Sequence, residues 1–396
     1  MNKRLLIHLC LLIPLFFTVL NLQVLISIFI NDTIAQVIAY MNLGLILAGI
    51  GLIINIKGEL SKTARLWIIF YTLYFVIAIA AGVFHRNSSS VVASMIPLFY
   101  TVGFFYYLSI LENTKIFVRV LMISLFISCV LCIYFDSINF DLDRGGVHIY
   151  TVDRAQGVYG DANNMALVCN LTFLFFYKFF NLKNKFFKVL RLAVLATIAL
   201  SLFKTFSTTG LSVFILCLVM LNYKFFTGIR LILGLILIPI FYVFLLNLNT
   251  ITADMNLVGQ QRDKVNNLVN VLSFNFDKVD DSGRGDLAAE TLHYIYKNPF
   301  FGNGVDFGAL HEVHNTYLGI WADAGIFVFM FFIIMLIMNF LRGFTCIEEY
   351  KYFIWAVLIS MSVFMLSLHS VINQPYLMAI FIYIAYQIDS RKPKIE

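Results

Sequence analysis

Four short polar segments interrupt a very apolar chain, and they carry side chains that bind anions and transfer protons. The first is DRAQGVYGDANN, where Arg154 precedes Asp161 and Asn163. A guanidinium group can hold a phosphate through two parallel hydrogen bonds, and the N–H groups at a helix start favour the same anion. The structural alternative is a helix capped by Asp161 or Asn163, with Arg154 in solvent.

The second segment is GRGD, in which Arg284 lies between two glycines and Asp286 follows. Glycines allow a ligand to approach the backbone closely, so the segment predicts another contact to an anion. In the structural alternative, Asp286 caps the helix that follows and pairs with Arg284.

The third segment, HEVHNTYLGIWAD, contains His311, His314, Asn315 and Asp323 at the start of an apolar run. Ionisable side chains at membrane depth are costly and usually functional. His314 could act as a base or donate a hydrogen bond to phosphate, and the sequence leaves both roles open. A metal site is disfavoured, because helical zinc sites space their histidines four residues apart.

The fourth segment, KTFSTTG, places Lys204 and small hydroxyl residues between the apolar runs 189–203 and 208–223. Both runs are short for a hydrocarbon layer of about 30 Å, which predicts a loop that enters the membrane toward a cavity. Lys204 would then add a third positive charge to the site. The alternative is an ordinary turn with a lysine that extends to the interface.

The elements that position these segments are predicted to be membrane helices. Hydrophobic residues make up 61% of the chain and charged residues 13%, which excludes an ordinary soluble domain. We predict an all-α integral membrane protein with about twelve transmembrane helices, forming a single polytopic domain over residues 1–396. The predicted spans are 5–30, 35–56, 66–84, 91–110, 116–135, 163–180, 189–203, 208–223, 229–247, 318–341, 352–370 and 375–388.

Basic residues predict the orientation of these spans. With both termini cytoplasmic, nineteen of the twenty-eight Lys and Arg residues lie inside, as the positive-inside rule requires. The net charge of +6 reflects this anchoring, so nucleic acid is not an expected partner. The nine outside are Arg86, Arg144, Arg154, Lys204, Arg262, Lys264, Lys278, Arg284 and Lys297.

Two long loops fall on the outer side, at 136–162 and 248–315. The second contains GRGDLAAETLHYIYK, whose apolar and acidic residues separate onto two faces of a helix, and the helix stops at Asn298-Pro299. We expect this helix to lie on the membrane and cover a cavity. All six cysteines fall in apolar runs or near cytoplasmic ends, so no disulfide is expected.

The order of these motifs resembles a known family. It comprises R-A-x-G-x-x-x-D-x-N at 154–163, S-T-T-G at 207–210, G-R-x-D-L followed by N-P-x-x-G-x-G within 283–304, and H-N-x-Y-L-x-x-x-A-D-A-G at 314–325. Together they resemble the bacterial O-antigen polymerase and O-antigen ligase superfamily, over roughly residues 144–341. No single motif is specific, but the combination is.

This resemblance implies a C-type membrane glycosyltransferase in the bacterial inner membrane, with its active site and both long loops facing the periplasm. It implies an undecaprenyl-diphosphate-linked oligosaccharide as donor, without nucleotide sugar, metal or other cofactor. The lipid bilayer is an expected partner and a polysaccharide chain-length regulator a candidate one. The expected catalytic residues are His314, Arg284 and Arg154, and the expected substrate-binding residues are Lys204, Asp161, Asn163, Asn315, Asp286 and His311.

Two departures from the family pattern bear on the activity. Ala162 stands where members often have Pro, and Thr208 stands where many members, notably ligases, carry Arg. The second departure favours a polymerase over a ligase that transfers glycan to lipid A-core. A transporter of the same lipid-linked glycan is disfavoured, because the charges concentrate at one face and the two halves show no repeat.

Overall fold

The chain folds almost entirely into α-helices, which confirms the all-α prediction. The computed structural model describes residues 3–85, 91–142, 145–147, 153–180, 184–225, 239, 242–253, 259–278, 284–311, 313–368 and 371–390. Contacts divide the chain into two compact units. The terminal unit comprises Met1–Ser128 with Asp286–Glu396, and the central unit comprises Cys129–Gly285. The predicted span 229–247 and the side chain of Arg284 lie largely or wholly outside the described part.

The first helices of the terminal unit follow the predicted apolar runs. The first run contains a bend of 64° after Val19, where Asn21 adopts a left-handed conformation. Asn31 caps the helix that begins at Asp32 by accepting a hydrogen bond from Thr33 N at 2.6 Å. The helices are α1 (Lys3–Val19), α2 (Leu22–Phe29), α3 (Asp32–Ile53), α4 (Lys62–His85), α5 (Val91–Ser94), α6 (Ile96–Leu108) and α7 (Leu111–Ser137), whose end belongs to the central unit.

The central unit continues from α7 into a short antiparallel pair of strands and then into helices. Strands β1 (Phe140–Asp141) and β2 (Gly146–Val147) pair Phe140 with Val147. The helices are α8 (Ala162–Phe179), α9 (Lys185–Lys204), α10 (Thr208–Leu221), α11 (Leu248–Ile251) and α12 (Gly259–Leu272).

The remaining helices carry the third predicted motif and the C-terminal core. The predicted amphipathic helix is present and ends at Lys297, directly before Asn298-Pro299. The helices are α13 (Arg284–Lys297), α14 (Phe307–Leu310), α15 (Thr316–Gly343), α16 (Glu348–Phe364) and α17 (Pro375–Asp389).

The core of the terminal unit is aromatic and surrounds α17. Trp67 packs against Phe381 with ring centroids 4.4 Å apart, and Phe70 packs against Phe332 at 5.0 Å. Nearly every residue of α17 is buried, as expected for a helix that is apolar on all sides. At its end, Asp389 caps α4 by accepting a hydrogen bond from Thr63 N at 2.8 Å.

Not every predicted span is long enough to cross a bilayer. Among the described residues, five helices have the required length and apolar composition: α3, α4, α7, α9 and α15. The bent pair α1–α2 makes six if it forms one span. The count of twelve therefore stays a prediction. Helix α9 corrects one expectation, because its 20 residues extend about 30 Å and are not short for a bilayer.

Helix α15 is broken at Gly325, whose φ of 77° and ψ of 177° are essentially restricted to glycine. The turn at residues 298–304, which precedes α14, packs into this break. Asn303 N donates to Ala322 O at 2.8 Å, and Ile326 N donates to Pro299 O at 2.9 Å. A Cβ on residue 325 would lie 2.0 Å from Phe300 O. The preceding turn thus supplies hydrogen-bonding partners for the backbone groups at the break, and it fixes the helical turn that carries Asp323.

Candidate functional site

Arg154 is the central cation of the first motif, and its side chain bridges two helices. Its Nε donates to Thr205 O at 3.0 Å, and its Nη2 donates to Asn163 Oδ1 at 3.2 Å. Ser207 Oγ donates to the same Asn163 oxygen at 2.8 Å. These hydrogen bonds to neutral oxygens orient the Arg154 side chain, which is half-buried and so stays partly accessible.

The N-termini of α8 and α10 both lie beside this arginine. Asp161 caps α8 by accepting from Asn164 N at 2.6 Å, as the structural alternative predicted, and Ser207 caps α10 by accepting from Gly210 N at 3.1 Å. The two helices approach closely, because a Cβ on Gly210 would lie 2.7 Å from Ala166 Cβ. Helix N-termini carry partial positive charge, so with Arg154 they make a candidate seat for an anion.

Lys204, predicted to add positive charge, is paired with a carboxylate. Its Nζ forms a hydrogen-bonded salt bridge with Asp136 at the end of α7. Both side chains are partly buried, with 34% and 20% of their surfaces exposed. This pairing reduces the charge that Lys204 offers to a ligand and ties the end of α9 to α7.

The terminal unit contains a buried carboxylate in the third motif. Asp323 is 5% exposed. Its Oδ1 accepts from Gly308 N at 2.6 Å and its Oδ2 accepts from the Tyr74 hydroxyl at 2.6 Å. Asp306, two residues before Gly308, accepts a short hydrogen bond from Ser94. The carboxylate is therefore satisfied by two neutral donors, as a buried charge requires.

His311 follows α14 and is oriented by that helix. Its Nδ1 lies 2.9 Å from Phe307 O, and its ring stacks on Phe307 and Tyr294 with centroids 4.0 and 4.7 Å away. A carbonyl oxygen only accepts, so Nδ1 carries the hydrogen. In this tautomer Nε2 is the ring nitrogen that can accept a hydrogen bond.

His314 and Asn315 lie at the start of α15, as predicted. Asn315 caps the helix by accepting from Tyr317 N at 2.9 Å and from Leu318 N at 3.2 Å. His314 directly precedes this cap and is exposed. The exposed imidazole is thus positioned at a helix N-terminus, where it can reach a ligand.

The second motif opens α13. Arg284 is the first residue of this helix, and Asp286 lies exposed in its first turn. Asp286 is therefore inside the helix and not its N-cap, which corrects that alternative, although a carboxylate there still favours the helix dipole. Ile295 is fully buried and Glu290 is exposed, in agreement with the predicted amphipathic pattern.

The predicted site residues form two described groups, one in each unit. Arg154, Asp161 and Asn163 lie together in the central unit, and Lys204, the last residue of α9, lies beside them. His311, His314 and Asn315 lie close together along the chain in the terminal unit. Sequence reasoning missed the roles of Asp136, Ser207 and Tyr74. A tyrosine in an apolar span was the available signal for Tyr74, because its buried hydroxyl needs a partner.

A comparison with protein families adds independent support for the family resemblance of the motifs. Residues 192–333 match the model of a family described as O-Antigen ligase, Wzy_C. The match includes Lys204, Arg284, Asp286 and the segment from His311 to Asp323, whereas Arg154, Asp161 and Asn163 precede it. No curated protein matches the chain. This match over residues 192–333 and the apolar helices point to a bacterial membrane protein and support the resemblance to the O-antigen ligase and polymerase superfamily.

Proposed function

We propose that this protein is a polymerase of O-antigen or a related surface polysaccharide. It transfers a growing glycan from undecaprenyl diphosphate to a lipid-linked repeat unit at the periplasmic face of the inner membrane. The observation that carries the proposal is the seat formed by Arg154 and the N-termini of α8 and α10 in the central unit. A diphosphate leaving group is the anion that such a seat fits.

In the proposed reaction, a hydroxyl oxygen of the acceptor sugar attacks the anomeric carbon of the donor glycan. The bond from that carbon to the diphosphate oxygen breaks, and undecaprenyl diphosphate leaves with the electron pair. Arg154 and Arg284 stabilise the charge that develops on the diphosphate. His314 takes the proton of the attacking hydroxyl. Every atom and charge is then accounted for without a nucleotide sugar or a cofactor.

The choice of polymerase depends on position 208. Many ligases carry Arg there, and here Thr208 is the first residue of α10, next to the Ser207 cap. Asn163 accepts hydrogen bonds from both Ser207 and Arg154. Arg154 therefore already lies beside the N-terminus of α10, and an additional arginine at position 208 would place a second cation near it.

The second candidate is an O-antigen ligase that transfers the finished glycan to lipid A-core. The description of the matching family, O-Antigen ligase, favours it. Both activities use the same donor and the same leaving group, so the anion seat serves either one. They differ only in the acceptor.

The decisive experiment supplies the acceptors separately. Purified protein in lipid vesicles is given lipid-linked repeat units alone, or with lipid A-core, and products are resolved by gel and mass spectrometry. A polymerase builds long lipid-linked chains without lipid A-core. Absence of such chains, with glycan transfer to lipid A-core when it is added, would establish the ligase instead. In a deletion strain, lipid A-core bearing a single repeat unit agrees with loss of a polymerase.

The proposed orientation can be tested by labelling cysteines in intact cells with a permeabilised outer membrane. Val147→Cys and Tyr296→Cys, both well exposed, should react with a membrane-impermeant maleimide, and Asn184→Cys should not. Native background is low although all six cysteines are free thiols, because five of them are buried. Burial, with Asp389 nearby, raises the pKa of the Cys346 thiol to about 11, which keeps its reactive thiolate scarce. The reverse labelling pattern would place the anion seat in the cytoplasm.

A further inference from the structure

We propose that Asp323 is a positioning residue, which holds the segment carrying His311 and His314 through the backbone N–H of Gly308. The proposal rests on the proposed role of His314 in the transfer reaction. Asp323 itself does not touch substrate. It is 5% exposed, and its hydrogen-bonding partner Tyr74 is 2% exposed.

A continuous chain of hydrogen bonds leads from Asp323 to Val313, the residue before His314. The Tyr74 hydroxyl orients the carboxylate, whose other oxygen accepts from Gly308 N at 2.6 Å. Gly308 O in turn accepts from Val313 N at 2.9 Å, which closes the loop after α14. His314 is the next residue, so its backbone begins where this chain of bonds ends.

The same anchor orients His311. Helix α14 spans only Phe307–Leu310, so the bond to Gly308 lies within it. Phe307 supplies both the carbonyl that fixes His311 Nδ1 and the ring that stacks on the imidazole. A shift of α14 would therefore move both histidines.

The other end of the segment is held separately. Thr316 N donates to Met365 O at 2.8 Å, and Thr316 Oγ1 donates to Leu368 O at 2.5 Å. Asp323 is also rigidly placed, because its own carbonyl accepts from Gly304 N at 3.1 Å. The segment that carries the two histidines is thus anchored at Gly308 and at Thr316, and Asp323 supplies the anchor at Gly308.

The surroundings of Asp323 favour positioning over direct chemistry. A small cavity beside the carboxylate is lined by Tyr74, Thr316, Gly319 and Asn373, and it has space for about one water molecule. A sugar or a diphosphate does not fit there. The carboxylate therefore acts on the reaction through the backbone that it holds.

The test compares Asp323→Asn with Asp323→Ala in the full-length protein in lipid nanodiscs. Asparagine keeps an oxygen for Gly308 N, and its amide can donate to the Tyr74 hydroxyl, which also accepts. We expect Asp323→Asn to retain turnover within about threefold. Asp323→Ala should lose about ten- to a hundredfold in kcat with little change in KM, because a displacement of about 1 Å costs up to that much.

A second measurement follows the backbone without reference to activity. Hydrogen–deuterium exchange at the amides of Gly308 and Val313 should accelerate in Asp323→Ala and stay as in the unmodified protein in Asp323→Asn. Asn339→Ala removes another buried polar side chain of α15, 2% exposed, and should change neither readout. If Asp323→Ala fails to fold, Tyr74→Phe should give faster exchange and a smaller loss of turnover.

The outcomes separate this inference from the proposed function. Loss of turnover in Asp323→Asn equal to that in Asp323→Ala would overturn positioning, because the negative charge itself would then be required. Unchanged exchange in Asp323→Ala would overturn it as well. Faster exchange with full turnover would uphold the anchor and contradict the role of His314 in transfer.

Discussion

Arg154 in the central unit and Asp323 in the terminal unit are ionisable groups that both make hydrogen bonds to neutral groups. Arg154 donates to a carbonyl and an amide oxygen, and Asp323 accepts from an N–H and a hydroxyl. They differ in exposure, because Arg154 is half-buried and Asp323 is 5% exposed. An accessible cation can bind a ligand, whereas an enclosed carboxylate can act only on its own chain. This difference in exposure is the basis on which we propose ligand binding for Arg154 and positioning for Asp323.

The two regions also fix their backbones differently. In the central unit, the side chains of Asp161 and Ser207 cap helices and so place the N-termini. In the terminal unit, backbone groups of the turn before α14 bond directly to the broken turn of α15. We accordingly expect substitution of Arg154 in the central unit to lower activity, and substitution of Gly325 at the broken turn of the terminal unit to lower the stability of the fold.

The largest effect is expected from Gly325→Ala. A Cβ would clash with Phe300 O at 2.0 Å, and the backbone conformation excludes other residues. We expect a destabilisation above about 4 kcal/mol, seen as loss of the monodisperse peak in size-exclusion chromatography. Gly319→Ala in the same helix meets no atom within 4 Å and should fold normally. A stable Gly325→Ala protein would show that the break in α15 is dispensable.

His314→Ala should lower transfer about a thousandfold at normal protein level, because general base catalysis contributes on that order. A base must take up a proton at a ring nitrogen, and the glutamine side chain offers no such nitrogen. His314→Gln then stays inactive from about pH 5.5 to 8.5. Measurable activity of the Gln variant with a flat pH profile would instead assign His314 a hydrogen bond to the diphosphate.

Arg154→Ala should reduce transfer about a hundredfold, or about 3 kcal/mol, because it removes a contact that strengthens in the transition state. Arg154→Lys should recover only part of this, since lysine lacks the planar fork. Arg191→Ala is the matched control, because Arg191 also donates to a carbonyl, Tyr177 O at 2.7 Å, at the other end of α9. Equal losses in both variants would mean that Arg154 acts only in packing.

A smaller effect should come from the pair of Lys204 and Asp136. Lys204→Met and Asp136→Asn should each cost about 1 to 2 kcal/mol of unfolding free energy, between the values for exposed and buried pairs. The double variant should lose less than the sum and keep most of the transfer activity. If it is as inactive as Arg154→Ala, then Lys204 binds the diphosphate directly, as the sequence predicted.

The smallest effect should come from Asp161, which the structure uses as the N-cap of α8. Asp161→Ala should cost about 1 kcal/mol in thermal unfolding, and Asp161→Asn should be nearly neutral because Asn caps as well as Asp does. A strong loss of transfer in Asp161→Asn, with stability unchanged, would show that the carboxylate also contacts substrate.

Local rules predicted the helices and several of their ends. Asp161 caps the helix that its position predicted it to cap, Asn315 lies at the predicted start of α15, and α13 stops where Asn298-Pro299 requires. Such features were predictable because they depend on residue type within one helical turn. The apolar pattern was less informative about α17, since a helix facing lipid and a helix enclosed by protein have the same composition.

The amino-acid sequence thus determined that the chain is helical and very apolar, and where the candidate anion-binding and proton-transferring residues lie along it. Only the tertiary structure decided which of these residues contact other parts of the chain. Asp323 meets Tyr74 across 249 residues, Lys204 meets Asp136 across 68, and Arg154 meets Thr205 across 51. No periodicity or spacing encodes these pairs, because they form when separate helices pack, and packing sets which charges remain exposed to a ligand.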